Sequence, residues 1–162
     1  MGAWADRVAA CALPPSTFTL LTPTRPLPSG ARWRPGDTLL LNGPVGAGKT
    51  HFARALIQSI LHTPEDVPSP TFTLVQVYDT TRGPLWHADL YRLTDSAEVE
   101  ELGLSEAFET AICIVEWPDR LGEAPKAALT LDFADAGDGR VVRLAWQAGD
   151  WAERLQTGLS RV

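Results

Sequence analysis

The stretch Thr38-Leu39-Leu40-Leu41-Asn42-Gly43-Pro44-Val45-Gly46-Ala47-Gly48-Lys49-Thr50 decides the fold. Gly43 to Thr50 fits G-x-x-x-x-G-K-[ST], the phosphate-binding loop. The apolar run Thr38 to Leu41 has the length of a strand. After the loop, Phe52, Leu56 and Ile60 recur every four residues, with Ala53, Ile57 and Leu61 beside them. That spacing predicts a helix with one wide apolar face, ending near His62. Strand, glycine loop and helix are the context the motif requires.

The residue types explain the chemistry. Gly46 and Gly48 let successive backbone N–H groups turn inward, which makes a nest for anions. The helix N-terminus adds partial positive charge. Lys49 has the reach for outer phosphates, and the Thr50 hydroxyl suits a magnesium ion that bridges them.

Outward from the loop, the chain alternates strands and helices. Residues 1–15 end in Pro14-Pro15 and read as a tail, so residues 16–162 form one expected domain. Thr17 to Leu21 is a short strand, and Pro23, Pro26, Pro28 and Gly30 then oppose a long helix. Pro35-Gly36-Asp37 turns the chain into the strand before the loop. Beyond the first helix, Thr71 to Tyr78 and Leu85 to Tyr91 read as strands joined at Arg82-Gly83-Pro84. Asp95 and Glu98 resemble a helix N-cap pair, with a stop at Gly103. A second short helix spans Ser105 to Thr110. Ala111 to Val115 is apolar throughout, as in a strand buried on both faces. Ala128 to Phe133 and Arg140 to Trp146 form a hairpin about a turn from Ala134 to Gly139, and Asp150 to Leu159 is a final helix. The expected fold is α/β: a three-layer nucleotidase sheet, mostly parallel, with an antiparallel C-terminal edge hairpin.

Composition narrows the partners. The 162 residues carry a formal net charge of −6, with 44% hydrophobic and 21% charged residues. An acidic chain opposes a broad nucleic-acid surface, although the loop supplies its own local positive field. From Asp95 to Glu123 there are nine acids and one base, Arg120. That segment is either a solvated face or a docking surface for a basic partner. Two cysteines, Cys11 and Cys113, give no disulfide framework or zinc site, and a reducing cytoplasm is expected. No apolar run reaches membrane-spanning length, and Val8 to Leu13 makes a poor signal peptide.

Two carboxylates meet the need for acids at strand ends near the loop. Glu116 ends the most apolar strand, and Asp89 lies in the segment before Arg92, with which it could instead pair. Ser69-Pro70-Thr71 sits in the connection where switch-type nucleotidases sense the γ-phosphate; a plain helix-to-strand turn is the other reading. His87 has no cysteine or histidine nearby and reads as a hydrogen-bonding group rather than a metal ligand. Trp117 either packs or covers a ligand.

Together these residues resemble the TsaE (YjeE) family, the ATPase component of bacterial tRNA threonylcarbamoyladenosine biosynthesis. The resemblance covers Gly36 to Arg120 and extends more weakly to Leu144. It rests on Gly43 to Thr50, Ser69-Pro70-Thr71-Phe72-Thr73-Leu74-Val75, His87-Ala88-Asp89-Leu90-Tyr91-Arg92, Glu101-Leu102-Gly103-Leu104 and Val115-Glu116-Trp117-Pro118.

The resemblance implies a small cytoplasmic ATPase using ATP and Mg2+. It would join a TsaB–TsaD pair and drive or reset its transferase cycle. Lys49 and Thr50 would hold phosphate and magnesium, with Glu116 as the second metal ligand. Asp89, Glu116 and Thr71 form the implied catalytic set. The implied nucleotide set is Gly43, Val45, Gly46, Ala47, Gly48, Lys49, Thr50 and His51, joined by Thr22, Trp117 and Arg140. The resemblance implies that adenine is held partly on a threonine-started helix before the loop; here that helix would run through Pro23, Pro26, Pro28 and Gly30, which leaves the adenine contacts open, with Leu21 to Thr24 one candidate and Arg140 a second.

A small-molecule kinase could share the loop, but the stretch where a basic lid would sit is acidic. A GTP switch lacks its Asn-Lys-x-Asp motif. A non-hydrolysing binding module would not need Lys49, Thr50, Asp89 and Glu116 together.

Overall fold

The computed structural model describes residues 17–21, 32–136 and 139–159. The expected tail and the expected adenine contacts between Thr22 and Thr24 lie outside these residues. Seven strands form one sheet in the order β1-β7-β6-β2-β5-β4-β3. They are β1 (Thr17–Leu21), β2 (Thr38–Asn42), β3 (Val75–Thr80), β4 (Gly83–Asp89), β5 (Ile112–Glu116), β6 (Leu129–Ala136) and β7 (Gly139–Trp146). The inner strands β6, β2, β5 and β4 run parallel. Antiparallel pairs close both margins, β3 on β4 at one side and β6, β7 and β1 at the other.

Side-chain alternation along the strands builds three layers. Leu39 and Leu41 of β2, with Ile112 and Ile114 of β5, face α1 (Lys49–Ile60) and α4 (Trp151–Leu159). Leu40 and Val115 face the opposite way, toward α2 (Ser96–Glu101) and α3 (Leu104–Thr110). All five residues of β5 are buried, as a central parallel strand requires. Helix α1 buries Phe52, Ala53, Leu56, Ile57 and Ile60, the face its spacing predicts.

Helix α4 is tied down by charge as well as by packing. Arg154 donates to both carboxylate oxygens of the buried Asp37 and to the Arg32 carbonyl. Asp37 also accepts from the Arg34 backbone N–H, closing the turn before β2. Asp95 caps α2 by accepting from Ala97 N at 2.9 Å.

One expected strand starts later than its sequence suggests. Thr71 to Leu74 forms a turn, and β3 begins at Val75. Leu74 N donates to the Pro70 carbonyl at 2.6 Å, with Leu74 at φ 64°. Strand β4 is shifted too, running from Gly83 to Asp89 and leaving Leu90 and Tyr91 beyond its end. The hairpin strands reach past Phe133 to Ala136 and start again at Gly139, so their connection is shorter than the expected turn.

Candidate functional site

The loop after β2 and the connections after β4 and β5 meet at the carboxyl ends of the parallel strands, where ligands bind in open α/β sheets. Gly43, Gly46 and Gly48 take φ of 136°, 78° and 99°, values that side chains disfavour. At Gly43 a Cβ would also lie 2.6 Å from the Phe133 carbonyl oxygen. Gly48 begins α1 with no side-chain cap, and no acid occupies the first turn. The leading N–H groups are therefore free of side-chain acceptors, and the helix field points into the cleft.

The cleft measures about 560 Å³. It is lined by Val45, Gly46, Ala47, Gly48, Lys49, Thr50, His51, Thr71, Asp89, Tyr91, Glu116, Trp117 and Arg140. All of the sequence-derived candidates are thus brought together except two. Gly43 lies beneath, its carbonyl turned to Lys49. Thr22 lies outside the described residues.

Lys49 is buried, 5% exposed. Its Nζ donates to the carbonyls of Gly43 (2.5 Å) and Pro44 (2.8 Å) and sits 4.1 Å from the Trp117 ring centroid. Desolvation lowers its pKa from the ordinary lysine value, while Glu116, Asp89 and Asp119 pull it back up.

Two carboxylates on adjacent strands face each other in register, Asp89 beside Glu116. Glu116 is 2% exposed. Its Oε2 accepts from Thr50 Oγ1 at 2.8 Å, and its Oε1 lies 2.9 Å from His87 Nε2. Asp89 does not pair with Arg92. Its Oδ2 accepts from Thr71 Oγ1 at 2.9 Å and its Oδ1 from Tyr91 N at 3.0 Å. Thr71 spends its single proton on Asp89, so Ser69 is the donor in the 2.6 Å contact with Thr71. Arg92 instead lies over the exposed Phe72 ring, 5.6 Å from its centroid.

A hydroxyl and a carboxylate oxygen 2.8 Å apart beside an uncapped helix start are hard oxygen donors of the kind magnesium takes. Among the described residues no three His, Cys, Asp or Glu side chains group around one point. A metal ion here would need further oxygens, as phosphates would supply.

Backbone strain collects at the rim. Trp117 and Leu74 are the non-glycine residues with positive φ among those described, at 60° and 64°. Trp117 directly follows Glu116, and the Leu74 carbonyl accepts from Asp89 N at 2.9 Å. Such strain persists where surrounding structure over-determines it, often at ligand sites. Arg140 reaches in from the start of β7, its guanidinium 2.6 Å from where a Cβ on Gly48 would stand.

Tyr91 was not among the sequence candidates. Its ring packs on Trp117 at 4.9 Å between centroids. Its place two residues after Asp89 was the available signal, but the contact depends on the left-handed turn at Trp117.

Fold, loop and strand-end acids define an α/β protein whose β2–α1 connection carries the phosphate-loop sequence pattern. A family model described as Threonylcarbamoyl adenosine biosynthesis protein TsaE matches residues 27–142. The tRNA threonylcarbamoyladenosine biosynthesis protein TsaE of Bacillus subtilis is 38% identical over 130 residues, covering 79% of this chain and 80% of its own. The Rickettsia felis protein of the same name is 42% identical over 86 residues, covering 53% of this chain. The match spans only 50% of that relative, and 60% of its Rickettsia prowazekii counterpart. The crystal structure of Bacillus subtilis YdiB superposes with a TM-score of 0.59 at 31% identity, covering 82% of each chain. This chain belongs to the TsaE family of threonylcarbamoyladenosine biosynthesis proteins.

Proposed function

We propose that this chain binds and hydrolyses ATP as a subunit of the machinery that forms threonylcarbamoyladenosine in tRNA. It regulates or resets a TsaB–TsaD transferase in the cytoplasm and does not transfer the group itself. The supporting observation is the Thr50–Glu116 contact of 2.8 Å at the uncapped start of α1. That contact sets a metal-suited oxygen pair beside a helix end suited to phosphate.

In this reading the loop amides and the α1 N-terminus hold the phosphates. Thr50 and Glu116 would hold magnesium, which would supply positive charge against that developing on the outer phosphates. Lys49 exchanges its carbonyl partners for phosphate oxygens, a charge-assisted contact. Asp89, braced by Thr71 and Tyr91 N, orients the attacking water. The Ser69–Leu74 turn carries Thr71, so a partner that orders this turn would raise turnover.

Phosphate release is measured for the chain alone, with the TsaB–TsaD pair, and for Glu116→Ala with that pair. The expected result is slow release alone and faster release with the pair. Glu116→Ala should cut stimulated release by roughly two orders of magnitude, the rate equivalent of a few kcal/mol of metal-assisted stabilisation, with nucleotide still bound. Phosphate transfer to a metabolite by the chain alone, with no response to the pair, would overturn this reading in favour of a kinase.

A further inference from the structure

His87 lies on the α1-facing side of β4 and is fully buried, 0% exposed, in a strand position where a leucine would pack. Burying an imidazole is costly unless its nitrogens find partners. Here one does. Nε2 is 2.9 Å from Glu116 Oε1, while Nδ1 is buried with no hydrogen-bond partner among the described residues. A carboxylate accepts, so Nε2 takes the donor's part in the Glu116 contact.

The contact also divides the labour of Glu116. Oε1 is held by His87, and Oε2 alone is turned to Thr50 Oγ1. We propose that His87 is a positioning residue: its Nε2–H locks the Glu116 carboxylate in the rotamer that presents Oε2, beside Thr50, to a divalent cation arriving with nucleotide. The inference rests on the metal-nucleotide reading of this cleft. Groups that hold a metal-ligating side chain in place commonly matter 10- to 100-fold in metal affinity.

Three substitutions separate positioning from packing. His87→Gln keeps an N–H donor near the place of Nε2. His87→Asn keeps a buried amide of similar polarity but falls short of Oε1. His87→Leu removes the donor and keeps an apolar fill. Each variant is checked by thermal melting. Mn2+ affinity is then read from free-ion paramagnetic resonance with a non-hydrolysable ATP analogue, and nucleotide affinity is read separately in EDTA.

His87→Asn should weaken Mn2+ about 10-fold or more. His87→Leu should do the same if it folds, and His87→Gln should recover most of the loss. Metal-free nucleotide affinity should be unchanged in all three. Wild-type Mn2+ affinity in folded His87→Asn would overturn the proposal, and so would an equal loss of metal-free nucleotide binding. Absence of metal-dependent nucleotide binding in the wild type would instead remove the site reading itself, and the proposal with it.

Discussion

The Lys49 ammonium is held against the Trp117 ring, 4.1 Å from its centroid. Two of its three donors are engaged by the Gly43 and Pro44 carbonyls. In this arrangement the lysine lies across its own loop. A cation over an indole face is held by roughly 0.5–2 kcal/mol, less than a charge-assisted bond to phosphate offers. Nucleotide binding is therefore expected to pull Lys49 off Trp117. The chain's six tryptophans will all emit, but a nucleotide-dependent change in fluorescence should be carried mainly by Trp117. A titration with MgATP checks this: the change should be largely lost in Trp117→Phe, and an undiminished change there would contradict it.

Thr71 holds Asp89 through a 2.9 Å hydrogen bond from a turn, not from the sheet. Thr71→Ala should lower partner-stimulated hydrolysis roughly tenfold, about the worth of one hydrogen bond to a charged group, and leave nucleotide affinity near wild type. Thr71→Ser keeps the hydroxyl and should keep most of the rate. Equal rates for alanine and wild type would leave Thr71 without the switch role.

Cys113 is buried in β5, and desolvation pushes its thiol up to about 12. The thiolate is the reactive form, so Cys113 should resist alkylation at pH 8 in the folded chain and react after unfolding. The linkage has a definite sign. A thiol whose folded pKa is raised contributes stability below its unfolded value near 9, and that stability is lost as pH climbs toward 12. Peptide mass mapping after iodoacetamide treatment checks the first point. Melting of wild type against Cys113→Ala across this pH range checks the second.

Eight of the nine acids between Asp95 and Glu123 are exposed; Glu116 is the buried one. With a net charge of −6, the isolated chain should bind tRNA only weakly at physiological salt. Filter binding at several salt concentrations checks this, and a micromolar complex with steep salt dependence would contradict it.

The glycine loop was legible because its constraints are local. Positive φ at Gly46 and Gly48, the flanking strand and the helix stripe all lie within one short stretch. The all-apolar β5 announced its central place in the same way. Thr71 to Leu74 misled because β-branched and aromatic residues favour strands. There, the Thr71 hydroxyl is taken by Asp89 and Leu74 turns left-handed, leaving Phe72 85% exposed. Both effects depend on residues distant in sequence or on backbone that no propensity records. The tilted Tyr91–Trp117 ring contact was hidden for the same reason. The pairing of β1 with β7 could not be read either, since register between remote strands carries no local signature.

The central claim, that the loop is a working MgATP site, is tested most directly by calorimetric titration of MgATP into the wild-type chain and into Lys49→Ala. The wild type should bind with one-to-one stoichiometry. Lys49→Ala should lose measurable binding, because the buried ammonium is the group on this loop able to make a charge-assisted bond to the outer phosphates. Unchanged affinity in Lys49→Ala would contradict the account.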